Sequence, residues 1–136
     1  MIIAIDTEFN DFQGELISMG LVAEDGKEFY EVLGCHDPSP WVRKNVISVL
    51  NKAPVTRSVF QRRLGEYLLK FKCIELIADW PEDIAHFCQS LITGPGMALC
   101  HPPLEIKIMR GLSSEGSIIP HNALEDARAI MRDLKS

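Results

Sequence analysis

Asp6 and Glu8 stand two residues apart at the end of an apolar run, M-I-I-A-I-D-T-E-F-N. Side chains alternate across a strand, so a strand carried through Glu8 projects both carboxylates to one side. Adjacent anions repel. A divalent cation removes that repulsion, because hard ions such as Mg²⁺ take carboxylate oxygens. A polar D-T-E turn closing a surface strand would account for this pair on its own, so a site requires further acids downstream. Two arrive. Asp79 ends a second apolar run, K-C-I-E-L-I-A, and Asp126 lies in a C-terminal helical pattern with His121 five residues ahead of it.

These residues need elements to bring them together. Glu15 to Ala23 reads as a second strand, and Asp25-Gly26 supplies a hairpin turn into a third, Glu28 to Leu33. Asp37-Pro38-Ser39-Pro40 blocks regular structure, after which Trp41 to Leu50 suits a short helix. Apolar residues at helical spacing predict a helix over Arg57 to Phe71, with Arg57, Arg62, Arg63 and Lys70 mainly off the stripe as a solvated face rather than a substrate-binding patch. Lys72 to Ala78 reads as a strand. Pro81 suits the first turn of the helix that follows, with Glu82 and Asp83 near its positive end. Gly94-Pro95-Gly96 stops that helix, and Met97 to Cys100 reads as a short strand. Leu104, Ile106 and Ile108 alternate as in a strand, and Ser113 to Ser117 reads as mobile loop. Asn122 can cap the last helix, with Glu125 completing a capping box. At 100° per residue Asp126 falls at the edge of that helix's buried stripe, where core meets cleft. The fold class is α/β: an antiparallel three-strand meander continued by parallel strands, with helices packed on the sheet.

Composition bounds the function classes. A chain of 136 residues is long enough for one domain with a substantial core, here residues 1–136, and too short for two ordinary ones. Its 46% hydrophobic and 24% charged residues are those of a globular protein. No apolar stretch reaches membrane-spanning length, and the N-terminal run meets Asp6 too early for a signal peptide, which predicts a cytoplasmic protein with no membrane partner. Cys35, Cys73, Cys88 and Cys100 lack zinc spacing and read as reduced thiols. A net charge of −5 argues against a general nucleic-acid coat but not against an enzyme that neutralises an acidic cleft with metal.

Three segments, D-T-E-F at 6–9, A-D-W-P-E-D at 78–83 and H-N-A-L-E-D-A at 121–127, occur in the order found in the DEDDh exonucleases. The chain resembles that family, which includes ribonuclease T and polymerase proofreading subunits, along nearly its whole length. The D-W-P-x-D form of the middle segment is similar to the small bacterial and phage exoribonuclease branch. The resemblance implies a ribonuclease H-like fold and two divalent ions, Mg²⁺ or Mn²⁺, held by Asp6, Glu8, Asp79 and Asp126. It implies His121 as general base, since an imidazole with a reference pKa of about 6.5 suits that task. It further implies hydrolysis from a free 3′ end to nucleoside 5′-monophosphates, single-stranded RNA favoured over DNA, and is compatible with a homodimer.

Thr7, Phe9, Trp80 and also Phe12 are candidates to engage the terminal nucleotide, the aromatics by stacking. Core packing is the competing reading for Phe9 and Trp80. His36, His86 and His101 have no acidic partner in the pattern and read as structural or surface residues. Two other functions stay open: a catalytically silent nucleic-acid-binding module of the same fold, and a phosphodiesterase acting on oligonucleotides or dinucleotides.

Overall fold

In the computed structural model, which describes residues 1–136, strand β1 (Ile2–Phe9) lies at the centre of a five-stranded sheet. The order is β3-β2-β1-β4-β7, with β2 at Leu16–Ala23, β3 at Glu28–Val32, β4 at Ile74–Ala78 and β7 at Leu104–Ile108. β1, β2 and β3 form the antiparallel meander; β1 with β4, and β4 with β7, pair in parallel. This is the mixed sheet of a ribonuclease H-like α/β fold. Helices α1 (Pro40–Asn45), α2 (Arg57–Leu68), α3 (Pro81–Leu91) and α4 (Ala123–Lys135) accompany it. None is long and apolar enough to cross a membrane.

Period-2 alternation in β1 sorts the molecule into two sides. Ile3 and Ile5 enter the larger core with Phe60, Leu64 and Leu68 of α2 and Phe87 of α3. Ala4 faces the other way, against Ala127, Ile130 and Met131 of α4. Asp6 and Glu8 continue the Ala4 register and therefore point towards α4. Thr7 continues the Ile5 register towards α3. β4 pairs with β1 only over Ile2–Ala4, so the carboxyl half of β1 runs on without a parallel neighbour. That gap is where the cleft opens.

α4 reaches this cleft because of Gly20, the β2 residue paired with Asp6. A Cβ at Gly20 would lie 2.5 Å from the Ala123 carbonyl oxygen, so only glycine lets the helix start rest on the sheet. The helix is capped as expected, the Asn122 side chain accepting from Glu125 N at 3.1 Å. The reciprocal half of the capping box does not form. Asn122 N already donates to the Ile119 carbonyl, and the Glu125 carboxylate turns to Arg128 instead. Asn122 Nδ2 also donates to the Val49 carbonyl at 2.9 Å, tying α4 to the 3-10 turn Ile47–Val49 that follows α1.

Several boundaries shift. The segment 41–50 divides into α1 and the 3-10 turn, and α2 ends at Leu68. Met97–Ala98 (β6) does form a strand, but it pairs with Ile92–Gly94 (β5) in a separate ribbon whose turn is the Gly-Pro-Gly segment. The loop at 113–117 is pinned to α4: Ser113 N donates to Asp133 Oδ2 at 2.9 Å, and Arg132 donates to the Gly116 carbonyl at 2.8 Å. Arg63 also leaves the expected solvated face, to pair with Glu31.

Candidate active site

The cleft beside β1 has a volume of about 490 Å³ and is lined by Asp6, Glu8, Asp79, His121 and Asp126, all anticipated, together with Asp83 and Trp41. Two sets of carboxylates converge in it. Oxygens of Asp6, Glu8 and Asp126 lie within 4.8 Å of one another, as do oxygens of Asp6, Asp79 and Asp83. Asp6 belongs to both sets. Its Oδ2 is buried with no hydrogen-bond partner, a costly state for a carboxylate oxygen unless a cation completes it. Closely spaced hard oxygens of this kind fit divalent ions such as Mg²⁺.

Each acid is placed by its element. A register shift between Glu8 and Phe9 bulges β1 at the point where its side chains enter the cleft. Asp126 sits in the first turn of α4 and accepts from His121 N at 3.2 Å through Oδ2. His121 takes a left-handed backbone conformation, φ +69°, immediately before the cap, so the chain turns sharply and the imidazole lines the cleft. Its ring meets Trp41 edge to face, centroids 5.1 Å apart. Trp41 is held over the cleft because Asn10, just past β1, accepts from Ser39 N at 3.0 Å and donates to the Asp37 carbonyl at 2.8 Å.

No protein-family model matches the chain. It is 36% identical over 149 residues to the 3′–5′ exoribonuclease of Mycobacterium tuberculosis strain CDC 1551 / Oshkosh, an alignment covering 93% of this chain and 87% of the relative. The 3′–5′ exoribonuclease of strain H37Rv matches equally, at 36% identity with the same coverage. The chain belongs to the 3′–5′ exoribonuclease family. It is accordingly an enzyme, a 3′–5′ exonuclease.

The acids of this exonuclease crowd one another. Burial raises Asp6 well above the ordinary carboxylate range, and Asp83, Glu8, Asp126 and Asp79 raise it further. Glu8 is pushed up to about 9, first by burial and then by Asp126 and Asp83. Asp83 rises to about 7, mainly by burial, although its bonds to Thr7 pull it down. Asp79 and Asp126 are also raised by burial, Asp79 being partly relieved by Arg110 and Asp126 by the His121 N–H. No lysine or arginine forms an ion pair with any of these five carboxylates. The site thus holds excess negative charge that a divalent cation would neutralise.

Asp83 is the residue sequence reading missed. At the first turn of α3 it suited the helix dipole, but its carboxylate turns inward. Oδ1 accepts from Thr7 Oγ1 at 2.6 Å and from Thr7 N at 3.2 Å, which leaves Oδ2 for a cation. The available signal was the first-turn position after Pro81, directly following a strand that ends in acid. Thr7, anticipated as a substrate contact, is buried and spends its hydroxyl on Asp83. Phe12 is 81% exposed and Trp80 43%, as suits stacking surfaces, and the Arg110 guanidinium lies 4.6 Å from the Trp80 ring centre. Phe9 packs against His86 with ring centroids 5.0 Å apart.

Proposed function

We infer that the protein is a divalent-metal-dependent 3′–5′ exonuclease of single-stranded nucleic acid, with RNA favoured over DNA. The observation that carries this reading is the pair of carboxylate sets sharing Asp6, with its buried unpartnered Oδ2. Asp6, Glu8 and Asp126 would hold one cation, and Asp6 with Asp79 and Asp83 a second. The ions, when bound, supply charge stabilisation at the scissile phosphate and an acidified water as nucleophile.

The chain's own side chains supply the rest. His121 accepts the proton of the attacking water at an imidazole nitrogen. The bond from its backbone N–H to Asp126 fixes base and ligand as a unit. Thr7 fixes the Asp83 carboxylate in one orientation. Phe12, Phe9 and Trp80, with Trp41 across the cleft, offer aromatic surface to the terminal bases. Cleavage of the P–O3′ bond then releases a nucleoside 5′-monophosphate. A cytoplasmic location and a homodimeric state form part of the same reading. The relatives' exoribonuclease activity favours RNA as substrate.

The test is a time course on a 5′-labelled single-stranded RNA oligomer beside the equivalent DNA, with Mg²⁺, Mn²⁺ or EDTA. A metal-dependent ladder shortening from the 3′ end, faster on RNA, is the expected result. An intact band under every condition would overturn the reading, and internal cuts would replace it with an endonuclease.

A further inference from the structure

The acidic cleft does not end at Phe12 and Glu82. From that rim a surface groove continues between the turn after β1 and the outward face of α3. Its first part is lined by Gln13, Gly14, Glu82, Ala85, His86 and Gln89. The next part shares Gln13, Gly14, His86 and Gln89 and reaches Glu15 and Arg57. A last part shares Glu15 and Arg57 and ends at His36 and Pro54. Glu82, Ala85, His86 and Gln89 fall at i, i+3, i+4 and i+7, so one wall is a helix stripe about 10 Å long leading away from the acids. The other wall is a tight turn whose residues Asp11 and Gln13 take left-handed conformations. A Cβ at Gly14 would collide with the Asn10 carbonyl, so this tight turn requires glycine there.

The groove differs in chemistry from the cleft it leaves. Past Glu82 its polar side chains are the amides of Gln13 and Gln89, the His86 imidazole, the Arg57 guanidinium and one carboxylate, Glu15. Arg57 forms no ion pair; one Nη donates to the Gln89 carbonyl at 3.2 Å, which leaves other N–H groups of the fork for an anion. The acid on this path, Glu15, accepts from His36 N at 2.9 Å and from Cys35 Sγ at 3.4 Å, so its charge is partly engaged by the wall. Neutral donors followed by a cation, on a path continuous with the site of hydrolysis, match a phosphodiester backbone. An acidic or apolar protein segment would have no reason to enter through the carboxylate cleft.

We propose that this groove carries the single-stranded chain upstream of the scissile phosphate, with Gln13 and Gln89 donating to the backbone and Arg57 anchoring a phosphate beyond them. This rests on the exonuclease reading of the cleft. It makes Arg57 a binding residue that a substrate too short to reach it does not use.

The experiment compares wild type, Arg57→Ala, Arg57→Lys and Gln89→Ala on a dinucleotide and on a longer single-stranded RNA. Binding of the longer RNA is measured separately by fluorescence anisotropy, with Ca²⁺ replacing Mg²⁺. Arg57→Ala should weaken binding of the longer RNA and raise its KM by about tenfold, the loss of one charge-assisted contact. It should leave kcat and all dinucleotide kinetics unchanged. The log–log salt slope of binding should fall by about 0.7, the share of one phosphate on a single strand. Arg57→Lys should restore most of the affinity and Gln89→Ala should lose less than Arg57→Ala. Unchanged binding and salt slope in Arg57→Ala would overturn the groove even if the wild type degrades RNA normally. So would equal losses on dinucleotide and longer RNA, or wild type that fails to bind the longer RNA. Weakened binding in Arg57→Ala without any hydrolysis by wild type would support the groove and reject the exonuclease reading instead.

Discussion

Acids withdrawn from solvent are treated in opposite ways in two regions of this molecule. Glu31, on β3, is buried and receives both of its counter-ions from the chain: Arg63 Nη1 lies 3.1 Å from each carboxylate oxygen, and Lys52 Nζ 3.1 Å from one. Asp6, Glu8 and Asp126, on the other side of the same sheet, and Asp83, at the start of α3, receive none. Their proton affinities rise, and one oxygen of Asp6 is left with no partner. The chain can neutralise a buried carboxylate internally and does so where the role is structural. In the cleft no such charge is supplied by the chain, and on the proposed reading a divalent cation would supply it, tying stability and hydrolysis to the same residues.

The sharpest break in this contrast is Asp6→Asn, which keeps the shape and removes the shared charge. Hydrolysis should fall by at least about a thousandfold, since metal charge stabilisation is worth several kcal/mol. The metal-free variant should melt no lower than wild type, because a repulsive charge has been taken from the cluster. Wild-type-like turnover in single-turnover kinetics would break the mechanism. Divalent metal should have the next largest effect. Mg²⁺ or Mn²⁺ at a hundredfold excess over its dissociation constant should stabilise wild type by about 2.7 kcal/mol, seen as a rise of several degrees in Tm. Arg63→Met should leave this metal response intact.

The same crowding predicts a pH dependence. Glu8 titrates near 9 folded against an ordinary 4.5, and Asp83 near 7 against 3.8, so the folded protein binds more protons than the unfolded chain between these values. Stability of the metal-free protein should therefore fall as pH rises through that window and recover as pH is lowered through it. Saturating metal should flatten the slope. Thermal melts from pH 5 to 9, with EDTA and with metal, measure both; a metal-free protein that is steadily stabilised as pH rises would contradict the charge assignment.

Smaller effects separate the supporting residues. Thr7→Val removes the hydroxyl from Asp83 while the backbone N–H remains, and should lower activity or metal affinity about tenfold to a hundredfold. An unchanged metal titration would make Thr7 a packing residue only. Arg63→Met, at the opposite pole of the comparison, should cost about 1 kcal/mol in denaturant melts, because Lys52 still pairs with Glu31 and both cations are partly exposed. Its kcat should not move.

Much of this was legible in the chain. The alternation of β1 fixes Asp6 and Glu8 on one side, and the helical period puts Asp126 at the edge of the α4 stripe, because both are local geometry with a known repeat. Element order followed from the same periods, from Asp25-Gly26 and from the prolines. What escaped depended on contacts between distant residues. Asp83 closes the D-W-P-x-D segment, but its place in the first turn of α3 gives it the same helix-dipole reading as Glu82. Only its meeting with Thr7, 76 positions away in sequence, makes it a cleft acid. Trp41 looks like any aromatic at the start of a short helix until Asn10 draws the preceding loop across the cleft.

Local patterning places Asp6, Glu8 and Asp126 each on a definite side of its strand or helix, because backbone sterics impose those periods regardless of the rest of the fold. Tertiary structure alone decided how closely they converge. The approach of α4 to β1 is set by the missing Cβ of Gly20, and the cleft by the point where β4 stops pairing with β1. Such distances arise from the packing of whole elements, and no local pattern encodes them.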